Sequence, residues 1–168
     1  GLYVMNQTSL SLYNVGFTKN QVTTTGNGGD ALFFDGTSFT MDGSGANLNY
    51  INDQTSTYPM HTPNVTEYMF NKFDFKRNTS TRDGALLHLD NSVARGFTIT
   101  NSCLYGNSAP NNGGVIYADL HQDSRESLIE NTQIDSNQVT NPTGLGSAIY
   151  WNCDSWNNNE AKPGLKIC

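Results

Sequence analysis

Apolar residues in this chain arrive in short clusters, each closed by an asparagine. Four segments share one order: Leu12 to Asn20, Phe70 to Asn78, Ile99 to Asn107 and Ile129 to Asn137. In each, an apolar residue is followed two positions on by Asn (Lys72 in one copy), three further on by a second apolar residue, and three further on by a final Asn. The final Asn falls at 20, 78, 107 and 137, giving intervals of 58, 29 and 30 residues. Fifty-eight is two periods, so a fifth copy is expected near residue 49, and Phe39 to Asn49 fits it with Met41 and Asn49 in register. A second block follows each first block: Gly29 to Phe33, Asp83 to Leu87, Gly113 to Tyr117 and Gly146 to Tyr150, with Tyr58-Pro59-Met60 as its degenerate form. Gly, Pro and Asn gather in the stretches between, as loops require.

Short apolar runs rich in Ile, Leu, Phe and Tyr and bounded by turn residues predict strands. No apolar stripe of 3.6-residue period runs long enough for a helix. Strands this short cannot bury a face alone, and stacking successive copies buries it. The expected fold class is therefore all-β: a right-handed parallel β-helix, a single-stranded solenoid of about five coils of 29 to 30 residues with Asn ladders. Residues 1–168 form one such domain, expected to be a section of, or repeat unit within, a longer protein or assembly.

Stacking places equivalent residues above one another, about 4.8 Å apart. One Asn column comprises Asn14, Lys72, Asn101 and Asn131; the other comprises Asn20, Asn49, Asn78, Asn107 and Asn137. At a tight inward corner an Asn amide donates to one neighbouring coil and accepts from the other. The columns Leu12, Met41, Phe70, Ile99, Ile129 and Phe17, Ala46, Phe75, Leu104, Ile134 are assigned to the core. Leu32, Leu86, Ile116 and Ile149 form a third inward set. Its parity is ambiguous because Ala31, Ala85, Val115 and Ala148 beside it are also apolar.

The Asn-x-x-[Phe/Leu/Ile]-x-x-Asn block followed by Gly-Gly-[Ala/Val]-Ile-Tyr resembles the repeats of polymorphic outer-membrane-type and pectate-lyase-like right-handed β-helix proteins. The resemblance runs from about Leu10 to Tyr150. It implies three parallel sheets per coil, stacked side chains and loops projecting on one side. It implies no particular activity, because this fold hosts enzymes, adhesins and fibre components.

Composition sharpens the picture. The chain holds 22 Asn and 16 Gly among 168 residues, a turn-rich β composition, and only 14% charged residues. A net charge of −6 leaves no basic surplus for phosphates, so nucleic acid is excluded as a partner. No run of 18 apolar residues is present, so no helical membrane span is expected. Gly1 opens the chain without Met or a signal-type segment, as in a mature or excised segment. Three acceptor triplets, Asn6-Gln7-Thr8, Asn64-Val65-Thr66 and Asn78-Thr79-Ser80, fit a secreted glycoprotein. Asn78 is also a ladder position and a buried Asn has no room for a glycan, so Asn6 and Asn64 are the expected sites. Of three cysteines, Cys153 and Cys168 bracket a polar loop and are placed to pair, which leaves Cys103 over. No metal-ligand spacing accompanies them, and no metal or cofactor is expected.

Candidate chemistry is sparse. Asp83, His88 and Asp90 lie close in one coil beside Arg82, and His88 and Asp90 face the same side of a strand. Asp35 and Asp119 fall near Leu89 in neighbouring coils, with Arg95 nearby. Paired carboxylates do acid–base work on sugars or hold calcium, yet the bland reading of a solvated strand edge followed by a turn is favoured. His61 and His121 fall in separate loops. Gly26 to Asp30 lacks the Lys of a phosphate loop and reads as a turn. Tyr150, Trp151 and Trp156 read as an end cap rather than a sugar platform. Thr98 and Thr100 do not extend into an ice-binding row, because Thr40, Met69 and Leu128 occupy the aligned positions.

The expected function is an extracellular structural or adhesive surface protein, a filament subunit built by head-to-tail stacking of β-helices. Its partners are other copies of itself or further chain of the same protein, and glycans or polysaccharide. The apolar, strand-like segment Leu165 to Cys168 is the expected junction. The alternative is a carbohydrate-active enzyme or carbohydrate-binding module on the same fold, with Asp83, His88 and Asp90 as its seed.

Overall fold

The structure, a computed structural model, describes residues 1–20, 31–44, 48–90, 94–120, 124–152 and 164–168. The described residues hold strands and turns and no helix. Every strand pairing is parallel, and the chain winds through about five turns of a β-solenoid. The first face stacks six strands: Ser9–Tyr13, Ser38–Asp42, Glu67–Asn71, Gly96–Thr100, Ser127–Glu130 and Leu165–Ile167. The second stacks five: Gly16–Thr18, Asn49–Asn52, Phe73–Lys76, Cys103–Tyr105 and Gln133–Asp135. Two-residue strands such as Thr79–Ser80 and Ser108–Ala109 then lead to the third face. That face has two stacks: Leu2–Val4, Leu32–Phe34 and Met60–His61; then Leu87–Leu89, Ile116–Asp119 and Ile149–Asn152.

The first core column stands in the expected register. Leu12 pairs Met41, Met41 pairs Phe70, Phe70 pairs Ile99 and Ile99 pairs Ile129. Met41, Phe70 and Ile99 are wholly buried. The second column differs at one level. Ile51, not Ala46, lies between Phe17 and Phe75, and Ala46 lies outside the described residues. The cause is a register slip. Gly16 pairs Tyr50, 34 residues on, and Tyr50 pairs Asp74, only 24 on. The first corner of that coil is longer and a later stretch is shorter, so the first face keeps its spacing of 29, from Ser38 to Glu67.

The slip also removes Asn49 from the second Asn column. Asn49 pairs Phe73 and its Oδ1 accepts from Val15 N at 2.8 Å. The hydroxyls of Ser102 and Thr132 do the same for Phe73 N and Ser102 N. Gln54 takes the place expected for Asn49. The backbone N–H groups of Gln54, Asn78 and Asn107 donate to the Oδ1 atoms of Asn78, Asn107 and Asn137 in the next coil, at 3.0, 3.0 and 2.9 Å. The Nδ2 groups of Asn78, Asn107 and Asn137 donate to the carbonyls of Ile51, Phe75 and Leu104. Asn78 and Asn107 are wholly buried. Asn20 stands at the same level of the first coil and accepts from the Gly1 amino group.

The other Asn column does not sit at an inward corner. Asn14, Asn101 and Asn131 are exposed, and with Lys72 they adopt φ of 56°, 51°, 48° and 50°. Asn tolerates this left-handed backbone better than most residues. Their amides bond along the surface, as Asn131 Nδ2 does to Asn101 Oδ1 at 2.6 Å.

The third inward set is shifted by one residue. Leu87, not Leu86, pairs Ile116, which pairs Ile149, while Leu2, Leu32 and Met60 fill the other stack. Glycine sets this register. Gly84, Gly113 and Gly146 have positive φ, and a Cβ on them would meet the carbonyl oxygens of Leu87, Ile116 and Ile149 at 1.9, 2.0 and 2.2 Å.

Candidate functional site

Alternation along the third face turns the residue after each inward apolar group outward. Tyr3, Phe33, His61, His88, Tyr117 and Tyr150 stand at these positions. Because coils stack at strand spacing, their rings stack too. Tyr3 and Phe33 centroids lie 4.6 Å apart, His88 and Tyr117 4.8 Å, and Tyr117 and Tyr150 5.2 Å, with interplanar angles of 15° or less. Phe33 and His61 break the pattern and meet edge-on, at 78°, and Tyr3 is 64% exposed. Trp151 turns inward and meets Phe97 edge-on, while Trp156 lies outside the described residues. Burial raises the pKa of the Tyr117 hydroxyl, with Asp119 and the Tyr150 hydroxyl adding to the shift.

Where the third face turns toward the first, a cleft of about 150 Å³ opens, walled by Tyr58, His61, Arg82, His88, Asp90 and Arg95. Met60 and Leu86 supply apolar contacts. His61 lies on the Tyr58 ring, with centroids 4.2 Å apart and planes within 7°. Arg82 donates to the Tyr58 hydroxyl, and its guanidinium carbon sits 5.0 Å above that ring. Arg95 is only 4% exposed. Its two terminal nitrogens donate to the carbonyls of His88 (3.2 Å) and Pro63 (2.8 Å), which ties two coils together. The Asp90 carboxylate is 3.8 Å away, and the buried Arg95 Nε has no hydrogen-bond partner. The neighbouring Tyr68 hydroxyl is raised in pKa by burial, against the opposing effects of its Thr62 bond and Arg95.

Asp83, His88 and Asp90 share this coil without forming a paired-carboxylate site. The Asp83 carboxylate accepts from Asn111 N, Asn111 Nδ2 and Asn112 Nδ2 of the next coil, whereas Asp90 faces Arg95. His88 Nδ1 bonds the Asp83 carbonyl, not its carboxylate. Asp119 falls level with Asp90 rather than Leu89 and accepts from Asn152, while Asp35 accepts from Asn64. Among the described residues no cluster of three or more His, Cys, Asp or Glu is placed to hold a metal. His61 joins His88 at the cleft instead of lying in a separate loop; His121 lies outside the described residues. The signal was present: Met60-His61 repeats Leu87-His88 at the same point of the coil, one residue beyond the degenerate block. Gly26 to Asp30 also lies outside the described residues.

The acceptor triplets have a structural origin. Asn6, Asp35 and Asn64 occupy one corner, followed two residues later by Thr8, Thr37 and Thr66. The Thr37 hydroxyl donates to the Thr8 carbonyl and the Thr66 hydroxyl to the Thr37 carbonyl. Asn6 and Asn64 are exposed, whereas Asn78 is buried in the ladder. The expected Cys153–Cys168 pairing is not made: Cys168 is a free, exposed thiol at the end of the sixth first-face strand, and Cys153 lies outside the described residues. Cys103 is free and half-buried.

Residues 101–119 match the family model of the Chlamydia polymorphic membrane protein repeat. The matched stretch runs from the exposed corner Asn101 through ladder Asn107 and the Gly113 turn to the third-face strand. No curated protein and no solved structure matches the chain.

Proposed function

We propose that the chain is part of a surface or outer-membrane-type protein, in which the solenoid acts as a stiff extracellular rod with an adhesive or assembly role. The match of residues 101–119 to a repeat of that kind, at a coil that continues without a break into its neighbours, carries the reading. A surface reading also fits a chain whose charge is low and whose exposed corners are built from Asn, Thr and Ser. Coils meet through parallel backbone pairing throughout, so a further coil of the same protein or another copy would stack by the same kind of contact. Such head-to-tail contact extends indefinitely unless it closes. Where the source adds N-glycans, Asn6 and Asn64 carry them and Asn78 is bare. The test is labelling of intact source cells with antibodies raised against the folded chain. Binding before permeabilisation is expected; signal confined to lysed cells would sink the reading.

A further inference from the structure

We propose that the cleft between the third and first faces binds a small carboxylate, with Arg82 and Arg95 as its principal donors. The cleft reverses the charge of its surroundings. In a chain of net charge −6 it gathers two guanidinium groups against one facing carboxylate, that of Asp90. The Asp83 carboxylate is engaged by Asn111 and Asn112 in the turn of the next coil. Arg95 is the less ordinary of the two cations. A buried guanidinium is costly unless its donors are met, and Arg95 is 4% exposed with its Nε unpartnered. Its bonds to the carbonyls of His88 and Pro63 fix the plane of the group. Asp90, at 3.8 Å and half exposed, is beyond hydrogen-bond distance of that plane. A fixed guanidinium with donors to spare suits a planar carboxylate, which accepts two parallel N–H bonds.

Size and walls narrow the ligand. Ligand pockets for larger molecules run to about 300–1,000 Å³, and this cleft of about 150 Å³ admits one small acid group with a short body. His61, held flat on Tyr58, and His88, held flat on Tyr117, give two ring walls, with Met60 and Leu86 as apolar contacts. The inference stands apart from where the protein resides and does not rest on the surface reading.

The test is NMR titration of the whole chain with acetate, glucuronate and sulfate at constant ionic strength, following the His61 and His88 ring signals. Saturable shifts are expected with acetate and glucuronate and weaker ones with sulfate. Tighter binding of glucuronate than acetate would identify a sugar-borne carboxylate as the preferred form, and equal binding the bare group. Arg82→Gln should weaken acetate about tenfold, as loss of a charge-assisted bond does, with an unchanged unfolding midpoint because Arg82 is exposed. Asp90→Asn should tighten acetate about threefold by removing the internal competitor, a change of the size expected for an exposed ion pair. Sulfate binding as tightly as acetate, shifts that never saturate, an inert Arg82→Gln or a weakening Asp90→Asn would each overturn the proposal.

Discussion

Asn101 and Asn107 sit six residues apart and are held by different forces. Asn107 is wholly buried, its Nδ2 meeting the Phe75 carbonyl and its Oδ1 meeting Asn78 N. Asn107→Ala should cost about 1–3 kcal/mol because buried partners lose their bonds, read as a lower urea midpoint. Asn101 is exposed and has φ of 51°, so the backbone and not the amide sets its preference. Asn101→Gly should leave that midpoint nearly unchanged. An equal loss in both variants would show that the two columns are not distinct. Arg77 and Asp53 form a surface pair in which Nε and a terminal nitrogen meet both carboxylate oxygens at 2.6 and 3.0 Å. The Arg77 hydrogen bonds hold the Asp53 carboxyl below its ordinary value, with the charges of Arg77 and Lys19 adding to this. A depressed carboxyl adds stability above its unfolded pKa and loses it as pH falls through the folded pKa. Arg77→Gln should raise the Asp53 pKa in an NMR titration and move the onset of acid unfolding to higher pH. Both effects should shrink in high salt.

At the scale of the element, turns set register more firmly than strands do. Gly113 has φ of 60°, and a Cβ there would meet the Ile116 carbonyl at 2.0 Å. Gly113→Ala should therefore cost at least about 1–3 kcal/mol from backbone strain, whereas Ser147→Ala, one residue beyond the equivalent Gly146, should cost far less. Thermal melts of the two variants would separate them. The same point explains what could be read from the chain before its fold was known. The column Leu12, Met41, Phe70, Ile99 and Ile129 was legible because first-face strands recur at nearly constant intervals. The exchange of Asn49 for Gln54 was not, since a longer corner and a shorter return cancel within one coil and a fixed period steps over both. Matching the blocks from their first residue, Asp83, puts Leu86 level with Ile116, whereas matching them from the positive-φ Gly84 puts Leu87 there, as the fold does. The cleft was half legible. Asp83, His88 and Asp90 were close in sequence, but Arg95 and His61 reach the cleft only through coil stacking, and sequence proximity does not reveal that Asp83 turns away to Asn111.

For the molecule as a whole, each coil contacts the coils above and below it, so stability is a sum of neighbour terms and not the property of one central core. Phe70, Phe73 and Phe75 are wholly buried in a coil that is paired with a neighbour on each side. This arrangement has a mechanical consequence. A rod of stacked turns pulled at its ends yields from an end inward, because the outermost coil has one neighbour to lose. The spacing of 29 residues between successive first-face strands, from Ser38 to Glu67, fixes the slack released by each step. At 3.3–3.6 Å per extended residue that slack is roughly 95–105 Å. Stretching a single molecule should lengthen it in a staircase of nearly equal treads, each one turn of the solenoid given up to the load.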